Sequence, residues 1–411
     1  MKRVKAWGLT VAVAAVLGSF VLLYFNYLAN GTGDPPHAFR GAASTSEACR
    51  PCHQSIYDSY VKTGHYLTST VATKATVMGD FGEGRNVAHT PLPDLQFAME
   101  ERRGGFFQTA VYTKDTTETF TKPFQVVVGS GERAQTYLFW EGDRLFQLPG
   151  MYFTPEETWT LAPGYENWII LWGDLPNKSL GMLYQRPIGG RCIECHAATA
   201  MPVGSPAGFR FHPDSFEVGI SCAKCHGPGA QHIAFHEQNP AAEEGRHIVN
   251  PASLSRSQQI SSCALCHAGD GVPRTPPLSF RPGDEISEHL IYTKAEQKQL
   301  SVHGGQVQFL QESRCFAESG SMTCSTCHNV HEDETDQTAM FSRKCLTCHE
   351  QSHAEAPERA PNAGGGKLAQ GDRCTECHMP DQQASNLPVY HEGEELFLSM
   401  ANHRIGIFKD Q

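Results

Sequence analysis

Two cysteines three positions apart, followed at once by a histidine, occur seven times in this 411-residue chain. The copies are Cys49–Cys52–His53, Cys192–Cys195–His196, Cys222–Cys225–His226, Cys263–Cys266–His267, Cys324–Cys327–His328, Cys345–Cys348–His349 and Cys374–Cys377–His378. Together they take up every cysteine but Cys315. With 15 Cys and 20 His in the chain, random placement gives roughly 0.03 copies. Chance is excluded.

The spacing has a chemical reason. Two thiols at this separation reach the two vinyl groups on one edge of a porphyrin and form thioethers, and the adjoining histidine meets the iron as its proximal ligand. The sequence therefore predicts seven covalently attached hemes c. The fourteen motif cysteines bind the cofactor, and the seven motif histidines bind the metal. Seven short disulfides would suit an exported chain, but a disulfide has no use for a histidine at one fixed offset. Structural zinc knuckles need no adjoining histidine either. Cys315 reads as a buried free thiol, packing as a small apolar group.

The net charge of −11 argues against nucleic acid as a partner, and heme propionates would add to it. The 38 glycines and 25 prolines favour loops over long regular elements. Lys2, Arg3 and Lys5 precede an uncharged run from Ala6 to Leu28. As a helix it would span roughly 35 Å, enough for a hydrocarbon layer about 30 Å thick. Residues 1–30 read as an uncleaved signal anchor, with a cleaved signal peptide as the alternative. The basic residues stay in the cytoplasm, so the working part is expected on the periplasmic side of the cytoplasmic membrane.

Motif spacing divides the rest into 31–190, with one heme, and 191–411, with six. Only 16 residues separate His328 from Cys345, and 36 separate His226 from Cys263. Such intervals leave little room for independent cores, so these hemes should pack on one another. The expected fold is mainly α with extensive loops, plus a small antiparallel β-element in the N-terminal half. Phe106–Tyr112, Thr116–Thr121, Phe124–Val128, Ala134–Trp140 and Arg144–Leu148 are rich in Val, Phe, Tyr and Thr and are separated by turn residues, which reads as consecutive hairpins. Trp159, Tyr165, Trp168 and Trp172 read as core.

Thirteen histidines lie outside the motifs, enough to give every iron a distal ligand: His37, His65, His89, His212, His232, His236, His247, His289, His303, His331, His353, His391 and His403. Local context favours His65, His232, His303, His331, His353 and His403. His212 and His391 are weaker candidates. On a helix, His331 would share a face with His328. The two axial ligands of one iron approach from opposite sides of the porphyrin, so His331 must reach a neighbouring heme.

The stretches ACRPCHQSIYDSYVKTGH, GERAQTYLFWEGDRLFQLPGMYF, GISCAKCHGPGAQH, GSMTCSTCHNVH, CTECHMP and NHRI give the chain a recognisable likeness. It resembles the multiheme cytochromes c with doubled CxxCH motifs, akin to the tetraheme cytochrome c of ammonia oxidisers. Some relatives carry tetratricopeptide repeats, but no period of about 34 residues is visible here. The resemblance implies His65, His232, His331 and His403 as distal ligands. The lysine-ligated motif of nitrite-reducing relatives is missing, since every copy here ends in histidine.

The leading expectation is membrane-anchored electron transfer along closely spaced, mostly bis-histidine hemes. Redox partners would be other cytochromes or a quinol-oxidising membrane complex. The alternative is an oxidoreductase in which one open-coordination heme acts on a small nitrogen or sulfur compound.

Overall fold

Residues 95–102, LQFAMEER, show how far packing overrides local preference here. Leu, Gln, Ala, Met and Glu are helix formers, yet Leu95, Phe97 and Met99 alternate into a core and the segment is a strand. In the computed structural model, the described residues are 45–114, 118–204, 209–269, 271–292, 300–301, 304–335, 337–349, 373–384, 388–391 and 394–408. They belong to one unit, Gly41–Gln411. The anchor assigned to residues 1–30 lies outside the described residues. Among those described, no helix is long and apolar enough to cross a membrane.

The interval between the first two motifs is a two-sheet sandwich. Strands β1 (Ser69–Val71), β6 (Val126–Val128), β7 (Ala134–Glu141), β8 (Arg144–Phe153) and β9 (Thr158–Leu161) form one antiparallel sheet in the order β1-β6-β7-β8-β9. Strands β2 (Val87–His89), β3 (Leu95–Arg102), β4 (Gly105–Tyr112) and β5 (Glu118–Pro123) form the other in sequence order. The β3–β4 hairpin turns on Arg103 and Gly104, both at positive φ (52° and 76°), as the tight mirror-image turn between twisted strands requires. The chain then changes sheets within two residues. Phe124 N–H donates to the Phe106 carbonyl at 2.8 Å and Gln125 N–H to that of Leu138 at 2.9 Å.

Phe97, Met99, Tyr137, Phe139, Leu148, Trp159, Tyr165, Trp172 and Tyr184 fill the space between the sheets, and Trp168 is exposed. At roughly 1.5–3 kcal/mol for each large side chain withdrawn from water, this core gives the region its own hydrophobic drive without a cofactor.

A mainly α fold is therefore incorrect: 34% of the described residues are helical and 25% lie in strands. The β-element is not small either. Of the hairpin segments expected, Thr116–Thr121 begins in an undescribed stretch, and β1, β2, β3 and β9 were not anticipated. The chain after Gly190 has short helices, including Gly190–His196, Cys222–His226, Ala230–Gln238, Arg256–His267, Thr338–His349 and Cys374–His378, linked by two-stranded ribbons. Two ribbons, Val389–His391 with Glu394–Leu396 and Asp381–Gln383 with Ser399–Ala401, return to the sandwich. Val389 enters its core, the Thr160 hydroxyl donates to the Tyr390 carbonyl, and Arg133 donates to the Ser399 carbonyl at 3.0 Å.

Candidate functional site

A helical turn is what gives the repeated spacing its geometry. Cysteines at i and i+3 and histidine at i+4 share one face of a helix. Helices Gly190–His196, Cys222–His226 and Cys374–His378 contain their motifs, and those of Arg256–His267 and Thr338–His349 sit at the C-terminal ends. The other two motifs achieve the same turn outside α-helix. His53 N–H donates to the Cys49 carbonyl at 3.0 Å, and His328 N–H to that of Cys324 at 2.9 Å. None of the fifteen cysteines is in a disulfide.

Four motif histidines face a second imidazole. Ring centres are 6.4 Å apart for His53 and His232, 6.1 Å for His226 and His331, 6.2 Å for His328 and His403, and 6.0 Å for His65 and His267. A metal–imidazole bond of about 2.0 Å, with the ring centre about 1.2 Å beyond the nitrogen, puts two trans ligands about 6.4 Å apart. The four spacings match that value. Rings in van der Waals contact would stand closer, as His232 and His236 do at 4.6 Å. The planes are near parallel in three pairs (16°, 17° and 24°) and near perpendicular, at 85°, in His65–His267.

His267 carries a second sign of a cofactor seat. Its side chain keeps accessible surface, yet burial pushes its imidazole down to about 4, helped by His65, His403 and His328. Exposure of that kind belongs to an internal cleft. His65 has the same combination, its pKa lowered chiefly by burial. The residues present fit a porphyrin with iron between each pair.

The other ring nitrogen is held in place. Nδ1 lies 2.9 Å from the Val249 carbonyl in His226, 2.9 Å from that of Arg246 in His232, and 2.7 Å from that of Gly406 in His378. In His403 it is 3.1 Å from the Ala401 carbonyl, and in His196 it is 3.0 Å from the Thr68 hydroxyl. The carbonyl contacts place the proton on Nδ1 and leave Nε2 for a metal. In His328 the partner is the Glu334 carboxylate, at 2.9 Å.

Neighbouring motifs touch through their sulfurs. Burial, then the Cys222 thiol, pushes Cys49 up to about 11. A hydrogen bond with Cys266 draws Cys195 down to about 7, and one with Cys324 raises Cys263. As thioethers these sulfurs would not titrate, but the contacts bring the attachment edges of different motifs together. Arg191 locks one such junction. Its guanidinium binds Glu194 at 3.2 Å and the carbonyls of Leu265 and Gly269 at 2.7 and 3.0 Å, while Glu194 accepts from Leu278 N–H at 2.9 Å.

His303 and His353 lie outside the described residues, as does His37. The backbone of His391 forms part of strand Val389–His391. His212 caps a short 3-10 turn before Pro213. His289 pairs with Asp284 at 3.1 Å and with Thr275 at 2.9 Å. Cys315, expected buried, is partly exposed, close enough to Cys327 and Cys345 to raise both. Sequence reading missed Arg191, Glu194 and Glu334. Arg191 and Glu194 stand inside or beside a motif, and Glu334 has no signal of its own.

The family described as cytochrome c554 and c-prime matches residues 181–227, and the one described as cytochrome c3 matches residues 316–389. The chain is a multiheme c-type cytochrome. Among curated proteins, this cytochrome is 25% identical to the multiheme cytochrome MtrA of Shewanella baltica over 49% of its own length and 69% of that protein. It is 24% identical to the C-type polyheme cytochromes OmcC and OmcB of Geobacter sulfurreducens, over 48% and 46% of its length. It spans only 27% and 24% of those two proteins. No solved structure matches it.

Proposed function

We propose that this cytochrome is a heptaheme electron carrier with mostly bis-histidine irons, held on the periplasmic side of the cytoplasmic membrane by residues 1–30. The observation that carries this reading is the set of four imidazole pairs, each at the separation of trans ligands on one iron. When bound, heme c supplies one-electron exchange at its iron. The chain's own residues fix the rest. The paired sulfurs would anchor each porphyrin edge, the Nδ1 hydrogen bonds orient the imidazoles, and the second histidine across each of four gaps would close the iron held there to small molecules.

Contacts between motif sulfurs support short steps from one center to the next. Cys49 meets Cys222, Cys195 meets Cys266 and Cys263 meets Cys324. The likeness to MtrA, OmcC and OmcB supports the same reading and suggests other cytochromes as redox partners. The net charge of −11 steers basic partner faces toward the surface.

The test is a pyridine hemochrome count on purified, matured protein, combined with EPR of the oxidised form. Seven hemes with low-spin signals from the four paired irons are expected. Fewer than seven, or a high-spin signal from one of those four, overturns the reading. Membrane fractionation of the full chain against one starting at Gly31 tests the anchor, and only the full chain should sediment with membranes.

A further inference from the structure

His328 differs from the other oriented histidines in what holds it. The Nδ1 contacts of His226, His232, His378 and His403 run to neutral backbone carbonyls. That of His328 runs to the Glu334 carboxylate at 2.9 Å. The carboxylate is itself fixed, because its other oxygen accepts from Asn329 N–H at 2.6 Å. Its side chain is only 15% exposed, so water screens the interaction weakly. Glu334 follows His328 by six positions, and the intervening backbone turns back through Glu332 N–H to the Asn329 carbonyl at 3.1 Å.

We infer that Glu334 is a potential-setting residue, lowering the reduction potential of the iron held by Cys324, Cys327 and His328. This rests on the reading of His328 and His403 as the two axial ligands of that iron. With Nε2 on the metal, the ring proton sits on Nδ1 and is donated to the carboxylate. The imidazole thereby gains imidazolate character and becomes a stronger donor, which favours ferric over ferrous iron. The negative charge also acts directly on the iron. The trans ligand does not share the effect, since His403 donates to the neutral Ala401 carbonyl at 3.1 Å.

The location gives the tuning a use. Cys324 contacts Cys263 of the preceding motif, while Cys327 lies in the field of Cys348 of the next. A lowered potential at that position would act on electron exchange with the motifs on either side of it.

Glu334→Gln keeps an acceptor oxygen and removes the charge. In an EPR-monitored redox titration of the intact holoprotein, the reduction equilibrium of one heme should rise on the order of tenfold, about 59 mV for one electron. Heme count and spin states should not change. His403→Ala tags the center by making its iron high-spin, and the same iron should be the one displaced by Glu334→Gln. If His403→Ala leaves every iron low-spin, the axial assignment fails. If the tag appears but Glu334→Gln moves no potential, the axial assignment stands and the role of Glu334 is refuted. Should Glu334→Gln not load heme, Glu334→Asp decides, because its shorter arm predicts a smaller upward shift and an unmoved potential refutes the role.

Discussion

Replacing His331 with alanine separates the two roles that a histidine close to a motif can have. His331 follows His328 by three residues, yet its ring centre stands 6.1 Å from that of His226, with the planes 17° apart. The wild-type ring also rests edge-on against Tyr60 at 6.2 Å, and the Tyr60 hydroxyl donates to the Ile220 carbonyl at 2.7 Å. Because Tyr60 has that independent tie, the walls of the gap should survive loss of the imidazole. The iron of Cys222, Cys225 and His226 then becomes high-spin, while that of Cys324, Cys327 and His328 stays low-spin. The expected change is one heme's share of the ferric signal, one in seven if every motif is filled.

EPR can tell which iron has changed. Nearly parallel imidazole planes give a rhombic low-spin signal, and perpendicular planes a far more anisotropic one. Rhombic intensity should therefore fall, while the anisotropic signal of the 85° pair His65–His267 persists. The covalent heme count should not change, and added imidazole should restore the low-spin state. A high-spin signal from the Cys324–Cys327 heme, or no change at any iron, would falsify the placement of His331 on the neighbouring iron.

Arg191→Met leaves Glu194 charged and nearly buried, 7% exposed. A loss of about 3–5 kcal/mol in chemical denaturation is expected, and an unchanged midpoint would show that the junction between the second and fourth motifs does not depend on this pair. Ser313→Ala removes the hydroxyl that donates to the His403 carbonyl at 3.0 Å and accepts from Ile405 N–H at 2.8 Å. Its cost of about 1–3 kcal/mol should appear as a partly high-spin signal at the His328 iron on mild warming. Trp172→Ala should destabilise the sandwich by about 3–5 kcal/mol, seen in thermal unfolding, with EPR signals unchanged below the transition. Gly129→Ala forces a side chain onto a residue at φ 106°, with its Cβ 2.4 Å from the Ala134 carbonyl oxygen. A destabilisation of about 1–3 kcal/mol follows, measurable in the same experiment.

The sequence was most informative where chemistry imposes a fixed offset. Each Cys-x-x-Cys-His run announces a helical turn and a porphyrin edge, and the structure provides such turns. Local context and likeness both single out His65, His232, His331 and His403, and each faces a motif histidine. Which motif histidine it faces was not readable from sequence, because every pair joins segments far apart in the chain. Glu334 escaped notice because a glutamate in an acidic loop looks solvated until its oxygen is seen beside Nδ1 of His328. The sandwich is larger than the sequence suggests because its first three strands mislead. β1 and β2 have three residues each, too few for an alternation to register, and β3 is written in helix-forming residues. The helical turns of the heme motifs say little about the chain before Gly190, which holds one motif of the seven.

The pairing of His65 with His267 has a mechanical consequence. Once an iron joins them, it closes a loop of 202 residues, counting from position 65 to position 267. By the chain-entropy rule for cross-links, a closure of that size takes about 5 kcal/mol of freedom from the unfolded state. The metal is then a rivet between the start of the sandwich and the middle of the helical part. Cutting the chain near residue 190 to isolate a one-heme fragment would remove one end of that rivet from the fragment and the other from the remainder.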